Sequence, residues 1–597
     1  MYDTIRDTSF GQFARFISNG RLFPAPEERQ SFVLPAKYAL ISSLTPVHPG
    51  DNVDKRHSEI PSEPDDRRKS DIPSGFHEKR RSDVPSESPS EQLNGVRWDG
   101  DQQEEFTAVD IEKNSQPLAA RPSNDNTTVV TWYSDTDPAN PHNWSNAKKA
   151  WVGAVILLYT LAVYIGASLY TSSIPAMKEK WNLSRVGASV GMALYVVGYG
   201  LGPMILSPLS EIPSIGRNPP YIIGMAIFVV LCVPTAMVDH YAGMLVLRLL
   251  TGAFGSPALA SGGASYGDFC GPIAMPYAIA LWVAGASCGP ALGPVIGNFA
   301  VVGEDWRWPF WELLWISGPV FLLMFFTLPE TSADWILRER AKRLRKLTGR
   351  SDLKAECEIR QRKKSSKAVL YDALIKPWEI NAKDPAVLFT TMYSGLIYGI
   401  YYSYFESFPM VFGEVYNFRF GIMGVSFLSI AVGIIVGVMA WVGYFYLYAD
   451  KNFAKIMAAG AMPPPEARLV PGLIFTWFIP AGLFLYAWTA REPIHWIVPL
   501  IGVVITITGV FIISQCMLVY LPFTYPKYAS SLFAANGFLR AMLAAAAILF
   551  STPMFDNLGV DKGVTLLAGL CCGCSAGVYI LYFFGAKLRA KSKFAES

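Results

Sequence analysis

The sequence predicts an all-α membrane protein with twelve transmembrane helices in two sets of six. Of its 597 residues, 51% are hydrophobic and 13% aromatic. Only 17% are charged, against roughly 25% in an ordinary soluble domain. The apolar residues gather after Lys149 into blocks separated by short loops, whereas the chain before it is polar. A helix needs about 20 mostly apolar residues to cross the hydrocarbon core, because each residue rises about 1.5 Å through about 30 Å. Such blocks fall near 150–172, 186–208, 219–238, 241–263, 275–300 and 309–328, and again near 386–408, 420–446, 470–490, 494–521, 529–551 and 563–585.

Between the two sets, Arg338, Arg340, Lys342, Arg343, Arg345, Lys346 and Arg350 crowd a stretch no bilayer would accept. The chain therefore divides into a largely disordered N-terminal region (1–148), a first half (149–328), a linker with amphipathic helical segments (329–385), a second half (386–585) and a short tail (586–597). With both termini cytoplasmic, the cytoplasmic loops and near-membrane tails hold about 26 Lys and Arg against about 7 outside, as the positive-inside rule requires. The sequon Asn182-Leu183-Ser184 then lies in the first external loop and is a glycosylation candidate, whereas Asn126 and Asn143 stay cytosolic. The N-terminus lacks a basic stretch leading into an apolar one, so no cleaved signal peptide is expected and the first span directs insertion.

A net charge of +3 makes no case for nucleic acid as partner. The eight cysteines, with Cys571, Cys572 and Cys574 inside an apolar block, form neither a secreted disulfide framework nor a zinc pair, so no metal and no cofactor are expected. No G-x-x-x-x-G-K-[S/T] phosphate loop occurs, which argues against ATP as the energy source. The six histidines are dispersed and no nucleophile–base pairing appears at span depth, so an enzyme is not expected.

Residues 45–125 are rich in Ser, Pro and charge, a mixture that cannot bury enough apolar surface to offset chain entropy. Within them a unit recurs every twelve residues as Arg56-His57-Ser58-Glu59-Ile60-Pro61-Ser62, Arg68-Lys69-Ser70-Asp71-Ile72-Pro73-Ser74 and Arg80-Arg81-Ser82-Asp83-Val84-Pro85-Ser86. A serine just after basic residues in flexible chain makes Ser58, Ser70 and Ser82 phosphorylation candidates; neutral duplication is the alternative. Residues 1–40, richer in Phe, Leu and Tyr, are placed to fold back onto the membrane body.

Several intramembrane residues carry mechanism. Gly285, Gly289, Gly293 and Gly297 recur every fourth position of the fifth span, with Pro290 and Pro294 among them. Small residues at that spacing make a groove for close helix contact, and each proline removes a backbone donor. Arg248 sits in the fourth span about 10 Å below its outer end. A mid-membrane arginine costs about 2.5–3.5 kcal/mol on insertion scales, so it faces a wet cavity, a partner, or backbone carbonyls. Arg540 lies deeper still, in the eleventh span after Asn536. Tyr398, Tyr401, Tyr402 and Phe405 make an i, i+3, i+4, i+7 stripe on the seventh span, either a grip for aromatic ligands or ordinary packing.

The run Gly285-Ala-Ser-Cys-Gly289-Pro290-Ala-Leu-Gly293-Pro294 resembles the G-x-x-x-G-P-x-x-G-G/P pattern of drug/proton antiporters in the major facilitator superfamily. Asp305-Trp306-Arg307-Trp308, Leu328-Pro329-Glu330-Thr331 and Pro465-Glu466-Ala467-Arg468-Leu469 add to the likeness, which covers 130–597 and is nearest the fungal benomyl- and azole-resistance exporters. The resemblance implies the major facilitator fold, two pseudo-symmetric six-helix halves. It implies a cytoplasmic gate of Glu211, Gly216 and Arg217 with Asp268, although the acid-to-Gly-Arg spacing here is two residues longer than the family's. It ties Arg248 to proton coupling through a carboxylate, with Asp268 and Glu406 as candidates. It also extends the cavity lining to Tyr164 and Gln515, and makes Asn536 and Arg540 a polar pair holding the eleventh span. The expected function is proton-coupled export of hydrophobic or aromatic small molecules by alternating access, from a monomer in the plasma membrane whose partners are the lipid bilayer, protons and substrate. Two alternatives stay open: a dedicated exporter of one endogenous metabolite or toxin, and a non-transporting membrane sensor.

Overall fold

The computed structural model describes residues 5–18, 21–29, 32–38, 127–362, 375–459, 464–524 and 529–591. The disorder expected for 45–125, the candidate serines Ser58, Ser70 and Ser82, and Asn126 lie outside them.

A short helix α1 (Ser9–Ile17) and a strand β1 (Thr128–Val130) precede the first half, which comprises α2 (Asn146–Lys180), α3 (Arg185–Glu211), α4 (Asn218–Met237), α5 (Tyr241–Gly255), α6 (Pro257–Phe269), α7 (Met275–Gly303) and α8 (Trp308–Thr327). Ser145 and Ser184 cap α2 and α3, their hydroxyls accepting the free N–H of Lys148 and of Gly187. Pro257 has no N–H to continue the helix, so α5 and α6 part at Ser256. The linker contributes α9 (Ala333–Thr348), β2 (Leu353–Ala355), α10 (Glu356–Arg362) and α11 (Lys376–Lys383). The second half holds α12 (Pro385–Phe408), α13 (Phe420–Ser426), α14 (Leu428–Tyr444), α15 (Asp450–Ala458), α16 (Val470–Phe475), α17 (Phe478–Thr489), α18 (Ile497–Thr524) and α19 (Ala529–Lys591).

Among the described residues, nine stretches are long and apolar enough to cross a membrane, against the twelve expected. The shortfall has local causes. The fourth expected block is divided between α5 and α6, each below 18 residues. The seventh is α12, whose Thr390, Thr391, Ser394, Ser403, Glu406 and Ser407 lower its hydropathy. The last two blocks share α19, whose 63 residues are interrupted at Gly559, where φ is +81°. Each of the twelve expected blocks lies mostly on helix, with breaks that include Ser256 and 476–477, and with residues 494–496 ahead of α18.

Within the first half α2 packs along α7 and α3 along α5, and within the second α12 packs along α19. The halves meet where α3 crosses α19 and where α7 crosses α13 and α14. Glycine permits both crossings. A Cβ on Gly200 would lie 2.6 Å from the Ala541 Cβ, and one on Gly424 would lie 2.4 Å from the Pro294 carbonyl oxygen.

Outside the helical body, β1 pairs in parallel with β2, Thr128 opposite Leu353 and Val130 opposite Ala355. Tyr38, Val130, Ala341, Leu344, Leu353, Ala355 and Cys357 close into a separate small core beneath them. Here Arg340, fully buried, donates to Asp137 at 2.7 Å and lies 3.5 Å from Glu27, which also accepts from Arg343 at 2.9 Å. The segments 5–38 and 127–145 are thereby tied to the linker helix α9. We refer to this side as the linker end.

Candidate functional site

A cavity of about 680 Å³ lies between the halves and reaches the linker end. Its inner wall carries Tyr164 from α2, Tyr199 from α3, Tyr398 and Tyr401 from α12, and Arg540 and Asn536 from α19. The Tyr199 hydroxyl lies 2.8 Å from that of Tyr398 and donates to that of Tyr402 at 3.0 Å. The Tyr164 ring stands edge-on to Tyr199 with centroids 5.5 Å apart. Arg540 places its guanidinium carbon 4.9 Å from the Tyr398 ring centroid, within cation–π range. Its Nε is buried and has no hydrogen-bond partner among the described residues, so at that atom the tyrosine rings around it are what balances the charge.

Three of the residues expected on the wall stand elsewhere. Tyr402 is buried one layer behind, with its hydroxyl held by Tyr199. Phe405 packs on Phe427 at 5.2 Å between centroids. Gln515 is wholly buried on α18, while its neighbour Ser514 is the residue that reaches the cavity. The i, i+3, i+4, i+7 spacing locates one helix face, yet only two of its four rings, Tyr398 and Tyr401, are aimed at open space. Asn536 does bridge helices, donating to Thr391 at 3.3 Å, which in turn donates to Asn381 at 2.8 Å.

At the linker end Arg217 makes a forked pair with Asp268, Nε to Oδ2 at 2.5 Å and Nη2 to Oδ1 at 3.1 Å. Burial disfavours the guanidinium charge, but Asp268 more than restores it, so its pKa stands above the ordinary arginine value. Glu211 is exposed at the cavity rim and makes no ion pair among the described residues, so the expected three-charge cluster is here a pair with an acid nearby. Sequence reasoning missed the group that organises it. Glu330 is buried, and its Oε1 accepts the backbone N–H of Arg217, Thr331 and Ser332 at 2.9–3.0 Å while Oε2 accepts that of Asn218 at 3.0 Å. Burial lifts its pKa above the ordinary glutamate value in spite of these donors. Gly216 turns the chain beneath it with φ +82°, a left-handed conformation glycine adopts without steric cost. Thr331 adds a bond to Asp268 at 3.0 Å. The run Leu328-Pro329-Glu330-Thr331 drew attention as a motif, but nothing in its spacing showed that its acid would read backbone rather than a cation.

The opposite end is closed across the halves. Glu406 of α12 accepts from Ser189 of α3 at 2.9 Å and from Thr552 of α19 at 2.8 Å. Outside this bridge Arg185 lies 3.5 Å from Glu414 and 3.6 Å from Asp556. Arg248, wholly buried, meets neither Asp268 nor Glu406. It donates to the carbonyl of Gly166 at 2.8 Å and to that of Gly191 at 3.4 Å, and its guanidinium carbon lies 4.1 Å from the Tyr195 ring centroid and 4.9 Å from that of Tyr170. The expected carboxylate partner is therefore replaced by carbonyls and aromatic faces. These bonds join α2 to α3, two residues from Ser189.

The glycine series of α7 faces α2. Added Cβ atoms would meet Leu157 at 2.6 Å from Gly285, Tyr164 and Ile165 at 3.0 Å from Gly289, Ser168 at 1.9 Å from Gly293 and Ser172 at 2.6 Å from Gly297. Pro290 borders the cavity, and Pro294 supplies the carbonyl that approaches Gly424. Asn182 is exposed in the turn between α2 and α3 with φ +48°, a conformation asparagine tolerates.

Two helical halves around a cavity open at one end define a membrane-embedded transporter. A family model described as Major Facilitator Superfamily matches residues 156–549, and the chain belongs to that family; it is a transporter and not an enzyme. Among relatives it is 45% identical over 467 residues, 78% of this chain and 85% of the other, to "MFS-type transporter pyvG" of Aspergillus violaceofuscus. It is 36% identical over 482 residues, 80% of this chain and 81% of the other, to "Multidrug transporter FLR2" of Candida glabrata. The fold is similar to that of the xylose transporter XylE from E. coli in a partially occluded inward-open conformation, with TM-score 0.52 and 13% identity over 74% of this chain and 98% of that one.

Proposed function

We propose that the chain exports hydrophobic, aromatic small molecules in exchange for protons, by alternating access. One observation carries this reading: the cavity walled by tyrosines and Arg540 reaches the linker end and is stopped at the other end by a carboxylate bridging the halves. Ionised Glu406 accepts two hydroxyl bonds and holds that end shut while substrate loads. A proton arriving from the far side turns one acceptor oxygen into a donor, breaks the match with Ser189 or Thr552 and lets the halves part, so that opening and proton uptake coincide. Arg248 acts at one remove, fixing the segment of α3 that presents Ser189. Drug-type breadth is supported by the likeness to a multidrug transporter. Export of one endogenous compound is the second reading, favoured by the higher identity to a relative whose name carries no drug.

In this reading the linker end is cytoplasmic and the protein resides in the plasma membrane. Efflux of a fluorescent aromatic compound from cells should rise with external acidity, and Arg248→Ala should abolish that dependence; efflux indifferent to pH in the unaltered protein would retract the antiport. A panel of unrelated aromatics separates broad from dedicated export. A glycosidase-sensitive mobility shift lost in Asn182→Gln would support the orientation, and its absence would count against it.

A further inference from the structure

We infer that α1 is an interfacial helix whose apolar face lies in the surface of the lipid bilayer beside the linker end of α8. Looking down its axis at 100° per residue, Phe10, Phe13, Ala14, Phe16 and Ile17 share one side, with Gly11, Gln12 and Arg15 on the other. The helix contains no acid. Nothing among the described residues covers most of the apolar side: Phe13 is 56% exposed, Phe16 83% and Ile17 66%.

Continuity with a membrane surface identifies what does cover it. Phe10, at the head of the stripe, packs its ring 5.0 Å from that of Phe326 and 6.1 Å from that of Phe325, both in the last turn of α8. Phe326 is itself 44% exposed and Leu322, one turn further in, 54%. On a helix that crosses a membrane these outward residues meet lipid, so the row Leu322–Phe326–Phe10–Phe13–Ile17 runs from the hydrocarbon core to the headgroup level without a break. The height of α1 is also fixed. Glu330 donates its backbone N–H to the Asp7 carbonyl at 3.1 Å and Thr8 pairs with Pro329, immediately beyond the end of α8. Arg21, exposed just past the helix, supplies a basic flank of the kind found on helices that lie on anionic lipid, while the charge of Arg15 is met by Glu28 at 2.8 Å.

The full-length protein in its native membrane provides the test. A photoreactive benzoylphenylalanine is placed singly at Phe13, Phe16 and, as the polar-face control, Gln12, and crosslinked products are resolved by intact-protein mass spectrometry from preparations whose efflux is unimpaired. Lipid adducts at Phe13 and Phe16 in about tenfold excess over Gln12 are expected for a helix half sunk in the interface. Adducts to a second copy or to another protein, equal lipid yield at all three positions, or no adduct at any of them, would overturn the assignment.

Discussion

A Cβ on residue 216 would stand 2.7 Å from Oε2 of Glu330, the oxygen that receives the Asn218 N–H. The turn that delivers Arg217 to Asp268 therefore depends on glycine twice, for its positive φ and for the space beneath the carboxylate. Gly216→Ala should lose about 1–2 kcal/mol from the backbone conformation alone, with the steric term added. Gly216→Asn tolerates the backbone better but keeps the collision. Thermal unfolding in detergent should show both variants lowered, with alanine below asparagine only if backbone strain is the larger share.

Glu27→Gln should release the N-terminal segment. It leaves Arg340 and Arg343 with one fewer anion in a buried network, a loss of about 3–5 kcal/mol when such a pair is broken from one side. Acid should do the same to the unaltered protein. Burial pushes the Glu27 carboxyl up, but the Arg343 charge and hydrogen bonds outweigh it and hold the folded pKa below 4.5; for Asp137 the bond and charge of Arg340 likewise win over burial and hold it below 3.8. Groups depressed in the folded state contribute stability that is complete above those ordinary values and is lost as the pH falls through the lower folded ones. Hydrogen exchange over residues 5–18 and 32–38, divided by the intrinsic amide rate at each pH, should show protection near neutrality that is lost in acid.

Glu406→Gln fixes one protonation state at the bridge. Each hydrogen bond to a charged acceptor contributes about 1.5–3 kcal/mol, so losing the charge shifts the balance between closed and open ends by about tenfold or more. Reconstituted protein should then exchange labelled substrate across vesicles at equal pH but no longer accumulate it against a gradient. Retained accumulation would assign the proton to another group.

Gly293→Ala should be damaging out of proportion to its size. Its new Cβ would fall 1.9 Å from the Ser168 hydroxyl oxygen, and overpacking of that kind costs about 1–3 kcal/mol. Ser168→Gly in the same chain should recover part of the lost transport and melting temperature, because the remaining obstruction, the Leu169 backbone nitrogen at 2.8 Å, does not move with the side chain.

Much of this architecture was legible because hydrocarbon thickness imposes a ruler on any chain that crosses it, and the glycine series marked α7 as a helix of close contact, though not that α2 is what it meets. Side-chain partners were less legible. Arg248 and Glu406 both read as buried charge, yet their partners are a carbonyl at position 166 and hydroxyls at 189 and 552, groups supplied by the chain at separations no local pattern encodes. Tyr402 and Phe405 show the limit of periodicity, which finds a face without revealing which part of it is covered. Glu330 was hidden for another reason: its ligands are backbone N–H groups, which every residue but proline carries.

The pairing of β1 with β2 has a mechanical implication. Thr128, which opens β1, is laced to the linker through the Asp352 carbonyl at 3.1 Å and its carboxylate at 3.0 Å. The strand that leads into α2 is thus laced to the strap that joins the two halves, so a shift of that strap is felt at the entry to the first membrane helix.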